Sequence, residues 1–448
     1  MPYSYWVVFL DLTLAGFLLL LGAVIRTRVG IVQRLFLPAN FLAGGIGLAL
    51  GPNGFGYLPF SLSIAEYPGL FAALIFATLP FTSAPIAAGG RSLPVVQLGL
   101  YSAVAIFLQW SLAIGFTSLV LRPLWPSLPD GFASLLALGF IGGYGTAAAV
   151  GATFSEYGWS TGQSLAMVSA TMGLLTSIVG GMALIRWGTR SGVTTAYGHC
   201  EIPSEGTDIH QGLAENRSSP GSATTGMSSL NVLSLHLSLI LIPTLAGYIL
   251  NHESAVYLKG YRIPIFCLSF LAAGVLSRLL RLVGATSYID RATAQTLQGM
   301  FVDFLVVFSI ASISFLAVAA HLFPLLLLLS FGTLLCLWLF LYLGPRSFSA
   351  FWFENALFTW GWITGIMGIA VALLQIVDPQ HRSRVLHHFA VAYVFILPIE
   401  IFFVVLGPLL LLRGKGLLLS AITGVAAVAT LIALFYLRRQ SKQLCRLE

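Results

Sequence analysis

The chain has 448 residues, 58% of them apolar and only 8% charged, with a formal net charge of +7. Soluble domains carry about 25% charged residues. Here 22 basic and 15 acidic side chains cannot cover a water-exposed surface for the whole length, so lipid is the solvent for most of the chain. The charges fall between apolar runs, with no basic stripe interleaved with aromatics, which argues against nucleic-acid binding and makes the charges a report on topology.

The first apolar run, 4–25, has no basic segment before it and is followed by Arg26 and Arg28. That order predicts a first span with its N-terminus outside and not a cleaved signal peptide. A span needs about 20 residues. Further runs of that kind fall at 35–51, 68–88, 94–121 and 163–187, then at 231–250, 263–283, 295–320, 322–344, 386–412 and 416–437, giving eleven predicted spans. The run at 35–51 is short and holds Pro38, Gly44, Gly45 and Gly47, and reads as broken or tilted.

Two apolar segments, 132–154 and 354–376, do not fit the count as full spans. Each has a glycine-rich centre, Gly142-Gly143-Tyr144-Gly145-Thr146 in one and Gly361-Trp362-Ile363-Thr364-Gly365 in the other. Each is followed by a polar piece, Ser155-Glu156-Tyr157-Gly158 or Asp378-Pro379-Gln380-His381. Both are read as re-entrant hairpins that enter and leave on one side. Irregular backbone at membrane depth is tolerated only where it is buried in protein or lines a cavity.

With the N-terminus outside and both hairpins re-entrant, only five of the 22 basic residues fall outside: Arg122, Lys259, Arg262, Arg413 and Lys415. The other 17 fall inside, as the positive-inside rule asks. Turning either hairpin into a full span inverts every later loop. The expected location is the cell inner (plasma) membrane, with the C-terminus cytoplasmic.

Residues 190–229 are rich in Ser, Thr and Gly and read as a flexible cytoplasmic linker. The halves on either side look alike. Pro38 precedes Phe41-Leu42-Ala43-Gly44-Gly45, Pro264 precedes Phe270-Leu271-Ala272-Ala273-Gly274, and each half places its hairpin before its fifth span. Five spans per half is odd, so the halves must have opposite orientation, a layout of secondary transporters. The expected fold is an all-α polytopic membrane protein of two inverted five-helix repeats, 1–189 and 230–412. Residues 413–448 add one transmembrane helix and a basic tail.

The first hairpin is the leading candidate for ligand contact. Glycines let backbone groups approach a ligand, and half-helices aim N–H groups at a carboxylate and carbonyls at a cation. Gly142, Gly143, Tyr144, Gly145 and Thr146 are the candidates there, with close packing through small residues as the alternative. In the second hairpin the candidates are Gly361, Thr364, Gly365 and Gly368.

Asp303 and Glu400 are ionisable residues inside spans, functional suspects for Na⁺ or proton coupling. The alternative is a structural pair or a hydrogen-bonded carboxyl. Asp11 and Glu354 lie nearer span ends, where snorkelling or capping is expected. His236 is expected to be a satisfied bundle residue. Ser169, Gly173, Thr176, Ser177 and Gly180 form a small-residue stripe expected to pack against a neighbouring helix. Cys200, Cys267, Cys336 and Cys445 are isolated, and the two in apolar runs, Cys267 and Cys336, read as core residues. No zinc-protease, nucleophile-elbow or phosphate-loop motif is present, so no catalytic residues and no cofactor are expected.

At these motifs the sequence resembles the bacterial sodium/glutamate symporter family. The similarity is carried by Gly142-Gly143-Tyr144-Gly145-Thr146-Ala147-Ala148-Ala149, by Tyr157-Gly158, and by Met167-Val168-Ser169-Ala170-Thr171-Met172-Gly173-Leu174. Pro38 with Ala43-Gly44-Gly45, and Phe76-Ala77-Thr78 with Gly89-Gly90-Arg91, are also similar. The resemblance implies Na⁺-coupled uptake of an acidic amino acid, elevator-type alternating access, and is compatible with a homodimer. The sequence departs from the family pattern where Tyr144 replaces a usual His, at Gly368-Ile369-Ala370-Val371-Ala372, and in the apolar stretch after Glu400.

The leading expectation is a secondary transporter of a small organic anion such as glutamate, driven by Na⁺. One rival keeps the fold but couples another carboxylate to protons through Glu400 or Asp303. Others are a transport-inactive sensor or scaffold acting through 190–229, and an intramembrane enzyme pairing Asp303 or Glu400 with a histidine such as His387. The last has poor expected geometry.

Overall fold

A computed structural model describes residues 5–34, 37–82, 93–194, 231–257, 263–380 and 382–444, and every regular element among them is helical. Ten of these helices are long and apolar enough to cross a membrane. The chain is therefore a multi-pass membrane protein. The first half contributes α1 (Tyr5–Arg28), α2 (Gly30–Arg34), α3 (Ala39–Leu50), α4 (Tyr67–Thr82), α5 (Leu93–Phe116), α6 (Arg122–Leu124), α7 (Leu135–Phe140), α8 (Gly143–Glu156) and α9 (Gly162–Arg190). The second contributes α10 (Val232–Tyr257), α11 (Ile265–Leu282), α12 (Arg291–Ala311), α13 (Phe315–Ala320), α14 (Leu322–Trp338), α15 (Gly344–Ser347), α16 (Trp352–Thr364), α17 (Met367–Val377), α18 (Val385–Leu412) and α19 (Gly416–Leu444). Most of the expected linker, with Cys200, lies outside the described residues, as do Gly89-Gly90-Arg91 and Cys445.

Two expected spans differ. The run at 35–51 becomes α3, only 12 residues long, which at 1.5 Å per residue covers about 18 Å of a hydrocarbon core about 30 Å thick. Pro38 sets its start in extended backbone, and Gly51 ends it. The run at 295–320 is broken after α12 by Ser312-Ile313-Ser314, and α13 restarts beyond.

The chain divides into two units. The larger comprises Met1–Pro68, Ile86–Ala196 and Phe304–Glu448. In it Asp11 of α1 is not a snorkelling end residue. It is fully buried and accepts from the Ser61 N–H (2.9 Å), the Ser61 hydroxyl (2.5 Å) and the Tyr67 hydroxyl (2.9 Å). Three donors offset the cost of burying a carboxylate.

The long helix α5 is buried along most of its length. It is followed by a π-helical turn at Thr117–Leu121 and then by Pro123, while α14 is followed by a π turn at Leu339–Leu343 and then by Pro345. Leu339 and Pro345 each lie 222 positions after their counterparts, Thr117 and Pro123. Proline cannot donate to the carbonyl four residues back. The wider turn instead pairs Arg122 N–H with Thr117 O and Gly344 N–H with Leu339 O. The buried Tyr101 hydroxyl also donates to Leu339 O at 2.9 Å. The last helix, α19, packs on α5 through reciprocal bonds: Ser111 Oγ donates to Ser420 O (2.9 Å) and Ser420 Oγ to Ser111 O (3.0 Å).

The smaller unit comprises Gly69–Pro85 and Tyr197–Asp303. Here α10 and α11 approach closely, since a Cβ on Gly247 would meet Ser269 Oγ at 2.3 Å. His236 is satisfied, as expected. Its Nε2 accepts from the Asp290 N–H (2.8 Å), so its Nδ1 donates to Val232 O (2.8 Å). Asp290 caps α12, accepting from the Thr293 hydroxyl (2.5 Å) and the Thr293 N–H (2.9 Å). The Thr293 hydroxyl bond, aided by the Thr293 and Ala292 N–H groups, holds the Asp290 carboxyl below its ordinary value. A lowered carboxyl adds stability above its unfolded-state pKa and loses it as pH falls through the folded-state value. Asp290→Ala is expected to cost about 1 kcal/mol of stability at pH 7, read as a lower thermal midpoint, with a smaller difference from wild type in acid.

Candidate functional site at the two helix breaks

In the first glycine-rich segment, α7 stops at Phe140 and α8 starts at Gly143. Gly143 has φ +58°, a conformation costly for any residue with a Cβ. The Thr146 hydroxyl donates to Leu138 O at 2.7 Å, bridging the break. It also lies 1.7 Å from where a Cβ on Gly142 would stand. Gly142 and Thr146 thus form one local device, in which the hydroxyl replaces the interrupted helical ladder.

In the second segment, α16 stops at Thr364 and α17 starts at Met367. Thr364 turns its hydroxyl back to Trp360 O at 2.7 Å. The buried Asp378 then closes the loop after α17, accepting from the N–H groups of Arg382 (2.9 Å) and Ser383 (2.8 Å) and from the Ser383 hydroxyl.

The two breaks meet. A Cβ on Gly143 would stand 3.0 Å from Ile366 Cγ2 and 3.4 Å from Gly365 O. The small-residue stripe of α9 packs as expected, and its partners are both breaks. Ser169 Oγ donates to Leu135 O at 2.6 Å, while Ser177 Oγ donates to Gly361 O at 3.0 Å. Between them, a Cβ on Gly173 would meet Thr364 O at 2.6 Å, Phe140 Cδ1 at 3.0 Å and Gly139 O at 3.3 Å.

The first turns of α8 and α17 therefore begin close together, with their positive dipole ends at the breaks. Gly145 and Gly368, in those two turns, each have open space where a Cβ would be. Backbone N–H groups beside such openings can donate to an anion, and carbonyls released by a break can take a cation. Tyr144 is buried and hydrogen-bonded to Thr171 Oγ1 at 2.9 Å.

Gln109, in the middle of α5, was not singled out by sequence reasoning. It is fully buried, and its Nε2 donates to Ile363 O (3.0 Å) and Cys336 Sγ (3.2 Å). Its Oε1 has no hydrogen-bond partner among the described residues. Its signal in the sequence is weak, since α5 also carries Gln97, Ser102 and Ser111 among its apolar residues.

Glu400, half-buried in α18, accepts from the Tyr393 hydroxyl at 3.1 Å. The Tyr393 ring lies edge-on to Trp362 at 6.1 Å, two residues before the Thr364 end of α16. Asp303 is exposed on α12, together with Thr296 and Gly299, and is the last residue of the smaller unit. Glu354 is fully buried in the first turn of α16.

The family described as sodium/glutamate symporter matches residues 8–348. The chain belongs to the sodium/glutamate symporter family. None of the curated proteins compared with it matches. The match to the symporter family spans the first helix break, Gln109 and Asp303, and it ends before α16. The second break and Glu400 lie beyond it. Membership makes this symporter one of a family of sodium-coupled membrane transporters, with Na⁺ as the implied coupling ion.

Proposed function

We propose that the protein carries glutamate or a related small organic anion across the plasma membrane together with Na⁺, holding the anion between the two helix breaks. The observation that carries this reading is the meeting of Gly143 with Gly365 and Ile366 beside Gly173. Two helix N-termini begin there, next to the open positions Gly145 and Gly368. Such convergence gives a carboxylate several N–H donors without a buried cation. Gly142, Thr146, Gly361 and Thr364 hold the breaks in shape, and Tyr144 forms one wall.

In this reading both segments are re-entrant hairpins and the chain is two inverted five-helix repeats, 1–189 and 230–412, with α19 added. The two π turns with their following prolines, 222 positions apart, support the repeat. The N-terminus is then outside and the C-terminus cytoplasmic. Movement of the hairpins as one body would give elevator-type access. Asp303 and Glu400 are the candidate coupling carboxylates, and oxygens at the second break, with Gln109 Oε1, are candidate Na⁺ donors.

Labelled glutamate uptake into proteoliposomes tests the proposal. Uptake is expected with an inward Na⁺ gradient and not with K⁺, and no uptake by folded protein under any cation gradient rejects it. The hydrogen-bonded Glu400 also motivates a proton-coupled reading. For Na⁺ coupling, Glu400→Gln is expected to raise the half-saturating Na⁺ concentration and leave the pH profile unchanged. A profile flattened by the exchange would favour proton coupling.

A further inference from the structure

At the far end of α19 three arginines, Arg346, Arg438 and Arg439, line one cavity of about 550 Å³ together with Ile432, Phe435 and Tyr436. Among the described residues that line it, none is acidic. Like charges are gathered here at a cost, which points to an anion that repays it. Arg346 is held in place by its own turn: its Nη1 donates to Tyr342 O at 2.9 Å and its guanidinium lies 3.9 Å over the Tyr342 ring. Among the described residues this is the one hydrogen bond of its guanidinium, which carries five N–H donors. Arg438 is half-buried, and its Nε is a buried donor with no partner among the described residues. A buried donor without an acceptor is costly, and Arg438 is one of the residues lining the cavity.

The apolar wall decides between a free anion and a lipid. Leu418, Ile422, Val425, Val428, Ile432 and Tyr436 are all exposed at helical spacing along α19. This stripe runs along the bilayer span into the cavity, where it meets the arginines at the end of the apolar stretch. A cationic rim at the membrane boundary, continuous with a lipid-facing stripe, matches an amphiphile with a phosphate head and an acyl chain. We infer that Arg346, Arg438 and Arg439 form a binding site for the phosphate headgroup of an anionic glycerophospholipid, its chain lying along α19. The site is independent of the helix breaks and of the transport reading.

Native mass spectrometry of the purified full chain tests this, with phosphatidylglycerol, phosphatidylcholine and inorganic phosphate as probes. Phosphatidylglycerol is expected to be retained over phosphatidylcholine. Basic residues near an anionic surface contribute about 1 kcal/mol each, so the exchange R346Q/R438Q/R439Q is expected to weaken retention roughly 100-fold and R439Q alone about 5-fold. Arg439 is exposed at the helix end, so R439Q tests the site even if the triple exchange fails to fold. R438K keeps the charge and is expected to keep retention. Equal retention of both lipids, retention unchanged in R439Q and the folded triple variant, or displacement of phosphatidylglycerol by equimolar inorganic phosphate would overturn the inference.

Discussion

Gly173→Val is expected to abolish Na⁺-driven uptake, with initial rates falling at least about 10-fold while the protein still reaches the membrane. A Cβ at this position would meet Thr364 O at 2.6 Å and Gly139 O at 3.3 Å. Both are backbone atoms and cannot rotate away. They belong to different helix breaks, so relief requires the breaks to separate or α9 to withdraw from both. Overpacking of this kind costs about 1–3 kcal/mol, and here the strain falls on the proposed binding geometry. Gly115→Ala is the contrast. Gly115 lies near the end of α5 with nothing within 4 Å of its added Cβ, so that exchange should leave uptake intact. Equal effects of the two exchanges would show that the breaks need no close approach to α9.

Gln109→Leu is expected to raise the half-saturating Na⁺ concentration by roughly 10-fold or more. The exchange roughly preserves volume but leaves Ile363 O without its donor and removes the unpartnered Oε1. Leaving a buried acceptor unpaired costs about 1–3 kcal/mol. A role confined to packing would lower the maximal rate and leave the Na⁺ dependence in place. A role at the ion site moves the Na⁺ dependence itself, and the two are separated by titrating Na⁺ at saturating glutamate.

The positions of both breaks were legible because glycine runs interrupt apolar segments at 142–146 and 361–365. What those runs could not say is that the breaks touch, because Gly143 and Gly365 are 222 residues apart and pair through tertiary packing. The α9 stripe was legible as a packing face, but which elements it packs against is a property of three dimensions. Gln109 was not legible because the two amides of its run, Gln97 and Gln109, form no recognisable motif. Hydropathy also joined residues 295–320 into one run, since Ser312-Ile313-Ser314 is too short to lower a window average although it ends α12. The π turns were likewise invisible to hydropathy, with only Pro123 and Pro345 downstream as a clue. Asp11 read as an end residue because its partners, Ser61 and Tyr67, come from about 50 residues further on.

The two halves of the site differ in kind. The first break is built from polar contacts, with Thr146 and Tyr144 both hydrogen-bonded. At the second, Trp362 packs edge-on against Phe389, Trp360 Nε1 donates to Ser177 O, and Gln109 and Ser177 add donors from other helices. The second break thus combines its own Thr364 hydroxyl, which donates to Trp360 O, with donors from neighbouring helices.

Thiol labelling at Gly145→Cys tests the central claim most directly, because Gly145 lies in the first turn of α8, two residues after Gly143, and an added Cβ there meets nothing within 4 Å. Labelling is measured in purified protein with Na⁺ or K⁺, with and without glutamate, against a background in which Cys200, Cys267, Cys336 and Cys445 are replaced by serine. The account predicts a reactive thiol that glutamate protects in Na⁺ and not in K⁺. A thiol labelled at the same rate in all four conditions, in protein still competent for uptake, would contradict it.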